Sequence, residues 1–139
     1  YVFYLDPKVV GCSIVETGGR IALLRRAIEP QKGKWVIPGG YVDRGEDVRA
    51  AAVRETAEEC GLSIRIEELL GVYSYPDHIP VVIVFLAKVL SGQLTARDET
   101  AEAAWFPKAE IPWSGLAFRS TADALRDYCR NAERSPREV

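Results

Sequence analysis

The sequence predicts an α/β fold: a sandwich in which a mixed β-sheet lies between helices on both of its faces. Its 139 residues fit one domain, spanning residues 1–139. Strand-like and helix-like patterns follow one another in the order β-β-β-α-β-β-β-α, which suggests a mixed sheet with helices on both faces. The segment from Val81 to Leu90 is apolar on both faces, as is typical of a strand in the middle of a sheet.

The composition is that of an ordinary soluble protein, with 47% hydrophobic and 27% charged residues. A net charge of −2 gives no general attraction to nucleic acid or to an acidic membrane surface. The longest apolar stretch, from Ile79 to Ala87, is about half as long as a membrane span. We therefore expect neither nucleic acid nor a membrane as a partner.

The cysteines favour a reducing compartment. Cys12, Cys60 and Cys129 are far apart, and no two of them form a C-x-x-C pair. This spacing disfavours a disulfide framework and a zinc site, so we expect a cytoplasmic protein. The first residues, Tyr1 to Tyr4, carry no basic segment and are interpreted as a trimmed start rather than a signal peptide.

The first two apolar runs predict a β-hairpin. They extend from Lys8 to Val15 and from Arg20 to Leu24, and the turn sequence Thr17-Gly18-Gly19 lies between them. Ala27 to Lys34 contains a proline and a glycine and is predicted to be a loop. A short strand, Trp35-Val36-Ile37, is then expected to end at Pro38-Gly39-Gly40, where the glycines let the backbone turn and approach a ligand.

A helix is predicted from Asp47 to Cys60. Asp47 can cap its first turn, and Gly61 can adopt the left-handed conformation that ends a helix. At about 100° per residue, one apolar stripe is expected to face the core; it consists of Ala50, Val53, Ala57 and Cys60. The roughly opposite face carries three carboxylates, those of Glu55, Glu58 and Glu59.

The second half of the chain predicts three more strands and a closing helix. Their expected bounds are Ile64 to Tyr75, Val81 to Leu90, Ala103 to Phe106 and Ser120 to Asn131. Ser120 or Thr121 is expected to cap this helix. Ser91 to Glu102 is expected to be a polar loop, and Ala132 to Val139 a frayed tail.

The three carboxylates predict a site for a hard divalent cation. Glu55, Glu58 and Glu59 are spaced three and four residues apart, which places them within an arc of about 100° on one helix face. Carboxylates without histidine or cysteine favour Mg²⁺, or alternatively Mn²⁺, over zinc. A backbone carbonyl at Gly40 is a candidate for a further metal ligand, and Arg54 is a candidate for holding the carboxylates in orientation. The alternative is a solvated helix face with ordinary salt bridges.

The segment around this helix resembles the Nudix box residue by residue. The pattern is Gly40, five residues, Glu46, seven residues, Arg54-Glu55, Thr56, one residue, Glu58-Glu59, one residue, Gly61-Leu62. Thr56 is the one departure, because the family usually has a bulky aliphatic residue there. Nine constrained positions at fixed spacing make chance a poor explanation.

The resemblance implies an α/β/α sandwich that binds Mg²⁺ through Glu55, Glu58 and Glu59. It also implies hydrolysis of a nucleoside diphosphate linked to another group, by attack of an activated water on phosphorus. Three segments look like a Nudix subgroup associated with ADP-ribose and flavin dinucleotide: Arg25 to Pro30, Ile111-Pro112-Trp113 and Leu116-Ala117-Phe118. The expected partner is therefore a small molecule such as ADP-ribose or FAD.

The base that takes the proton from water is expected outside the box, because box carboxylates held by metal are less basic. In proteins that this chain resembles, a carboxylate outside the box often serves as base or extra metal ligand. Glu102 is the first candidate, since a strand next to it would hold it firmly. Glu99 is the second candidate, and Glu55 is the alternative within the box.

Four further residues are candidates for substrate binding. Arg25 and Arg26 can clamp a diphosphate, although a solvated strand end explains them equally well. Trp35 and Tyr75 can stack on a base, although core packing is the commoner role of such rings. The sole histidine, His78, is expected to have no catalytic role.

Two other classes of function stay open on the sequence alone. A catalytically silent nucleotide sensor is the main alternative, although retention of all three box carboxylates argues against it. The other is a scaffold for protein interaction, in which the acidic face is mere surface. A homodimer also stays open as the assembly.

Overall fold

The computed structural model describes residues 7–133, which form one seven-stranded sheet and two α-helices. The strands are β1 (Lys8–Thr17), β2 (Arg20–Arg26), β3 (Trp35–Val36), β4 (Gly39–Tyr41), β5 (Ser63–Tyr73), β6 (Pro80–Ser91) and β7 (Thr100–Pro107). The helices are α1 (Val48–Cys60) and α2 (Arg119–Glu133), and two 3₁₀ turns, Lys108–Glu110 and Trp113–Gly115, precede α2. The interpretation of Tyr1 to Tyr4, and most of the predicted tail, lie outside the described residues.

The sheet is mixed, as predicted, because β1 runs parallel to β6 and antiparallel to β2 and β4. The strand order is β3-β2-β1-β6-β5, with β7 also paired to β2. β6 therefore lies inside the sheet, as its double-sided apolar pattern predicted. The edge of β1 that faces away from β6 has two partners. The beginning of β1 pairs with β4, and the end of β1 pairs with β2.

Each face of the sheet carries one apolar cluster. Alternate residues of β1 point to opposite faces, so Ile14 joins the cluster under α2 while Val15 joins the cluster under α1. Leu125 of α2 and Cys60 of α1 are fully buried in these two clusters. The predicted sandwich, with helices on both faces, is confirmed.

Helix α1 has the predicted ends but a different buried face. Asp47 accepts a hydrogen bond from the backbone N–H of Arg49, and Gly61 ends the helix with a φ of 75°. The predicted apolar stripe is right for Cys60, which is buried, and for Val53, which packs against the same cluster. It is wrong for Ala50 and Ala57, which are exposed. The residues that α1 buries are Ala51, Ala52, Thr56 and Cys60. Small side chains face the sheet because α1 packs closely against it, a contact that hydropathy does not encode.

Three local predictions are corrected. β3 ends before Pro38, as predicted, but Gly39 and Gly40 are not a turn, because they form β4, hydrogen-bonded to β1. Glu102 does not lie in a loop, because β7 begins at Thr100. Ser120 lies inside α2 rather than at its cap, since the helix begins one residue earlier, and the helix also continues into the predicted tail.

No helix in residues 7–133 has both the length and the apolar character that crossing a membrane requires.

Candidate active site

The site lies where β4, hydrogen-bonded to β1, contacts α1, and glycines make this close contact possible. Gly40 pairs with Gly11 of β1, and Gly39 pairs with Cys12. A Cβ atom at Gly40 would lie 2.5 Å from one oxygen of Glu55 and 2.7 Å from the other. A Cβ atom at Gly39 would lie 2.7 Å from the carbonyl oxygen of Gly11. Both box glycines therefore leave room for neighbouring groups, and the Glu55 carboxylate covers the backbone of Gly40.

Glu59 reaches the same strand from the last turn of α1. Its Oε1 accepts a hydrogen bond of 2.8 Å from the backbone N–H of Gly39. Burial raises the pKa of Glu59 to about 8, against the opposing effect of this hydrogen bond. The negative charge of Glu55 raises that pKa further. Glu59 is thus a partly buried acid whose surroundings favour a nearby cation.

Arg54 ties the acidic residues of the box together. Its Nε and Nη2 donate to the two carboxylate oxygens of Glu46 at 2.8 and 3.0 Å, a bidentate pair. Its Nη1 donates to Glu55 at 2.9 Å and to both oxygens of Glu58 at 3.3 Å. Nη2 also donates to the carbonyl oxygen of Tyr41 in β4 at 3.2 Å. The guanidinium therefore sets the positions of three carboxylates relative to β4, as the sequence suggested for two of them.

The pKa values of the carboxyls around Arg54 are shifted in different directions. Its hydrogen bonds to Glu46 lower the pKa of that carboxyl to about 2. The pKa of Glu55 is instead raised, because burial outweighs the hydrogen bond from Arg54. Glu55 and Glu59 are therefore the two box carboxyls in which burial favours the protonated form until a cation approaches.

The chemistry of these groups fits a hard divalent cation, although they are not gathered around one point. In the part of the chain that the structure describes, no three carboxylate, imidazole or thiol groups converge as a ready metal shell. Glu55 and Glu58 face Arg54, and Glu59 faces Gly39. The donors are nonetheless all oxygens, two of the carboxyls have raised pKa values, and the Glu55 carboxylate lies against the backbone of Gly40 at the same place. A cation would supply the positive charge that the buried Glu59 lacks.

A further acidic residue, Asp98, is brought to the site by the segment before β7. Backbone N–H groups of Thr95 and Arg97 donate to the carbonyl oxygens of Cys60 and Glu59, at 2.9 and 3.0 Å. Asp98 follows in the left-handed conformation, with a φ of 52°, and its charge raises the pKa of Glu59. Asp98 lies in the chain close to two other acids, Glu99 and Glu102. The docking of this segment on α1 and the effect on Glu59 distinguish Asp98 from them.

The two candidate bases favoured from the sequence, Glu102 and Glu99, have different surroundings. Glu102 pairs across the sheet with Arg25, and the Arg25 Nη2 to Glu102 Oε1 distance is 3.2 Å. Glu99 is exposed, and its carbonyl oxygen accepts a hydrogen bond of 2.9 Å from the N–H of Ala27. Neither is among the main charges that act on Glu55 or Glu59.

Arg25 and Arg26 are separated by an irregularity in the pairing of β2 with β7. Such bulges re-aim side chains and are common beside active sites. Arg25 is turned to Glu102, whereas Arg26 lowers the pKa of Glu59 and so lies within the field of the box carboxylates. The Arg26 guanidinium also lies over the ring of Phe118, 5.2 Å from its centre.

The two aromatic candidates both have packing partners. Trp35 meets Phe106 edge-on, with 4.9 Å between ring centres. The Tyr75 hydroxyl donates to Asp123 at 2.6 Å, and the Arg119 guanidinium lies 4.1 Å from the centre of its ring. Tyr75 also lines an open cavity of about 310 Å³ between β5 and α2, and no box carboxylate borders that cavity.

The sequence matches the model of the NUDIX domain over residues 5–127. An ADP-ribose pyrophosphatase of Methanocaldococcus jannaschii is 41% identical over 134 residues, which cover 94% of this chain and 78% of that protein. A crystal structure of a NUDIX hydrolase from Nitrosomonas europaea is 35% identical, with a TM-score of 0.88 over 96% of this chain and 77% of that one.

The fold also matches that of an ADP-ribose pyrophosphatase from Streptococcus suis. The TM-score is 0.76, over 94% of this chain and 95% of that one. At 24% identity this match speaks for the fold alone.

Proposed function

The chain belongs to the Nudix family of hydrolases, which act on pyrophosphate bonds, and on that premise we propose that it is a Mg²⁺-dependent ADP-ribose pyrophosphatase. The products would be AMP and ribose 5-phosphate. The observation that carries the proposal is the meeting of Glu55 and Glu59 at the side-chain-free backbone of Gly39 and Gly40. Two partly buried carboxylates thus lie beside backbone that a diphosphate-bound metal could approach, which supports the proposal.

Glu55, Glu58, Glu59 and the Gly40 carbonyl would hold the metal, with Mn²⁺ as a substitute for Mg²⁺. Bound there, it would supply positive charge to the diphosphate oxygens and acidify a water molecule. Arg54 positions Glu55 and Glu58 through its hydrogen bonds, so its role is to orient these carboxylates. Arg26 has the charge and the location to bind a phosphate of the substrate.

Asp98 is the strongest candidate for the group that accepts the proton of the attacking water. Its charge acts on Glu59, and its segment is docked on the end of α1. Glu102, Glu99 and Glu55 remain the alternatives proposed from the sequence. Glu102 is the weaker choice because its carboxylate is paired with Arg25.

ADP-ribose is proposed as substrate because the relative from Methanocaldococcus jannaschii bears that name and covers most of this chain. FAD, a second nucleoside diphosphate derivative with the same linkage, is the next candidate. The proposal further takes the partner to be this small molecule, with neither nucleic acid nor membrane, in the cytoplasm. The homodimer remains an open proposal.

The test is a substrate panel assayed with Mg²⁺: ADP-ribose, FAD, NADH, a nucleotide sugar and a nucleoside triphosphate. ADP-ribose should give the highest kcat/KM and should release AMP. A higher kcat/KM for another member would overturn the choice of substrate and leave the reaction class standing. Tight binding of ADP-ribose with no turnover would instead support the silent sensor.

A further inference from the structure

We propose that an apolar patch on the α1 face of the sheet is a docking surface, and that its occupant is the segment of this chain that precedes β1. The patch consists of Leu69, Val72, Val81 and Ile83 and is called the open patch below. The segment, residues 1–5, has the sequence Tyr1-Val2-Phe3-Tyr4-Leu5 and is called the strap. It would cross the sheet beside α1, with no part in the proposed hydrolysis.

Two residues of the open patch belong to β6. Val82 and Val84 lie in the cluster under α2, so their neighbours Val81 and Ile83 point to the α1 face. Both of these neighbours are only partly buried. Ile83 pairs with Gly11 of β1, where an added Cβ atom would lie 2.9 Å from a backbone oxygen of α1. The open patch therefore begins one strand away from the part of the sheet that α1 touches.

The other two residues of the open patch belong to β5 and are the more exposed. Val72 pairs with Ile83, and Leu69 pairs with Phe85, which lies two residues further along β6 on the same face. The exposed fractions are 58% for Val72 and 56% for Leu69, although aliphatic side chains gain free energy when they leave water. Within the described sheet, β5 is the last strand in the order, so no further strand shields them. Contiguous exposed apolar surface of this kind marks an interaction site.

Both edges of β1 are occupied at the point where the chain enters this strand. On one edge, Lys8 pairs with Pro80 of β6. On the other edge, the carbonyl oxygen of Val9 accepts a hydrogen bond of 2.9 Å from the N–H of Val42, which follows β4. A segment that turns back before β1 therefore has no free edge to pair with. It must leave the plane of the sheet and lie on one of the two faces.

The sequence before β1 favours such a turn, and the α1 face is the open one. Asp6-Pro7 is a pair that favours turns, since proline fixes its own φ and has no N–H to donate. On the α2 face, Val10 packs against the cluster that α2 already covers. On the α1 face, Val9 pairs with Val81 and so adjoins the open patch. The open patch is thus the apolar surface beside the point where the strap joins β1.

The strap has the composition and the length to cover the open patch. Each of its five residues is aliphatic or aromatic. Neighbouring strands lie about 4.8 Å apart, so β5 is about 10 Å from β1 across β6. Five extended residues span about 16 Å, which is enough to cross both strands. A second copy of the chain fits less well, because its docking would lose translational and rotational freedom that the tethered strap has already lost.

The test is a double-mutant cycle on unfolding in urea. Removal of residues 1–5 should raise the equilibrium constant for unfolding at least about tenfold, because aliphatic side chains lose their cover. The same removal in Leu69→Ser/Val72→Ser should raise it less than about threefold, since the surface to be covered is already polar. Phe3→Ser/Leu5→Ser, which keeps the chain length, should behave like the removal in both backgrounds.

Leu90→Ser is the matched control, because Leu90 is a 59% exposed aliphatic residue near the far end of β6. Removal of residues 1–5 in this variant should have the full effect. An equal effect of the removal with and without Leu69→Ser/Val72→Ser, or no effect in the wild type, would overturn the strap.

Sedimentation equilibrium of the same proteins distinguishes the strap from a second copy. The mass of the wild type should not change in Leu69→Ser/Val72→Ser. A mass that halves in this variant would place a second copy on the open patch and overturn the proposal. Because no turnover is measured, the proposed hydrolysis stands or fails separately.

Discussion

Glu59 is a partly buried carboxyl, and desolvation raises its pKa from the ordinary 4.5 to about 8. At a pH between these two values, the folded protein therefore keeps a proton on Glu59 that the unfolded chain has released. A carboxyl with a raised folded pKa contributes its full stability below the unfolded value and loses it as pH rises toward the folded value. In metal-free protein this loss should extend from about pH 5 to pH 8.

The first prediction is that Glu59→Gln, which cannot ionise, becomes more stable relative to the wild type as pH rises over that range. Urea unfolding at pH 5 and pH 8, with chelator present, measures the difference. Glu99→Gln, a change at an exposed acid, should show no such trend. A Glu59→Gln difference that shrinks with rising pH would contradict the burial of this carboxyl.

The second prediction concerns turnover at saturating Mg²⁺. Glu58→Gln and Glu59→Gln should each lower kcat at least about a hundredfold, because each removes a charge that holds the metal in the proposed site. His78→Ala is the control and should lower kcat less than about tenfold, since His78 bonds to the Pro76 carbonyl oxygen in an exposed loop. Wild-type kcat in either glutamine variant would refute the site.

The third prediction separates the candidate bases by a pH–rate profile. Asp98→Asn should remove the acidic limb and lower kcat by about a hundredfold or more, the scale of lost general-base catalysis. Glu102→Gln and Glu99→Gln should retain the limb and most of the rate. If Glu102→Gln removes the limb and Asp98→Asn does not, the choice made from the sequence is right and the role of Asp98 fails.

At the scale of elements, the site depends on how closely α1 approaches the sheet. A Cβ atom on Gly11 would lie 2.9 Å from the carbonyl oxygen of Val48 and 3.4 Å from the backbone nitrogen of Ala52. Gly11 is also the partner of Gly40 in β4. The missing side chain lets the first turns of α1 lie against β1, which brings the carboxylates of its later turns to β4.

The fourth prediction is that Gly11→Ala lowers stability by about 1–3 kcal/mol, as overpacking does, and raises the Mg²⁺ concentration needed for half-maximal rate. Both follow from a small outward shift of α1. Gly115→Ala is the control, because its new Cβ would meet Trp35 at an ordinary 3.8 Å. Thermal unfolding and Mg²⁺ titration measure the two effects. Wild-type values of both in Gly11→Ala would contradict the close approach.

The sequence predicted the elements better than their orientation. Asp47 and Gly61 mark the ends of α1 because capping is local chemistry. The buried face was mispredicted because Ala50, Ala51 and Ala52 have the same hydropathy, and only contact with Gly11 decides which ones face the sheet. Gly39 and Gly40 likewise look like a turn by local rules, yet pairing with β1 makes them a strand.

For the site, too, local sequence patterns were predicted and contacts that depend on the fold were not. The box residues were found because their spacing repeats a family pattern, and Arg54 does contact the carboxylates. Asp98 was not separated from Glu99 and Glu102, since its approach to Glu59 depends on long-range hydrogen bonds from its segment to α1. Phe118 was named only as part of a subgroup resemblance, and its contact with Arg26 is visible only in three dimensions.

At the scale of the whole molecule, the helices on the two faces of the sheet have different roles. Helix α1 presents the carboxylates, while α2 is tied to the sheet by tyrosine–acid pairs, Tyr73 with Asp127 at 2.7 Å among them. Two charged residues outside the box act on Glu59; these are Arg26 at the end of β2 and Asp98 in the segment before β7. The proposed substrate would therefore lie against α1 near the end of β2.

The most direct test of the account is the release of AMP from ADP-ribose, followed by chromatography as Mg²⁺ is titrated into metal-stripped protein. We predict AMP and ribose 5-phosphate in equal amounts, a rate that saturates with Mg²⁺, and no turnover in excess chelator. Glu58→Gln should follow the same titration at a rate at least about a hundredfold lower. Full turnover in chelator, or no AMP at any Mg²⁺ concentration, would contradict the account.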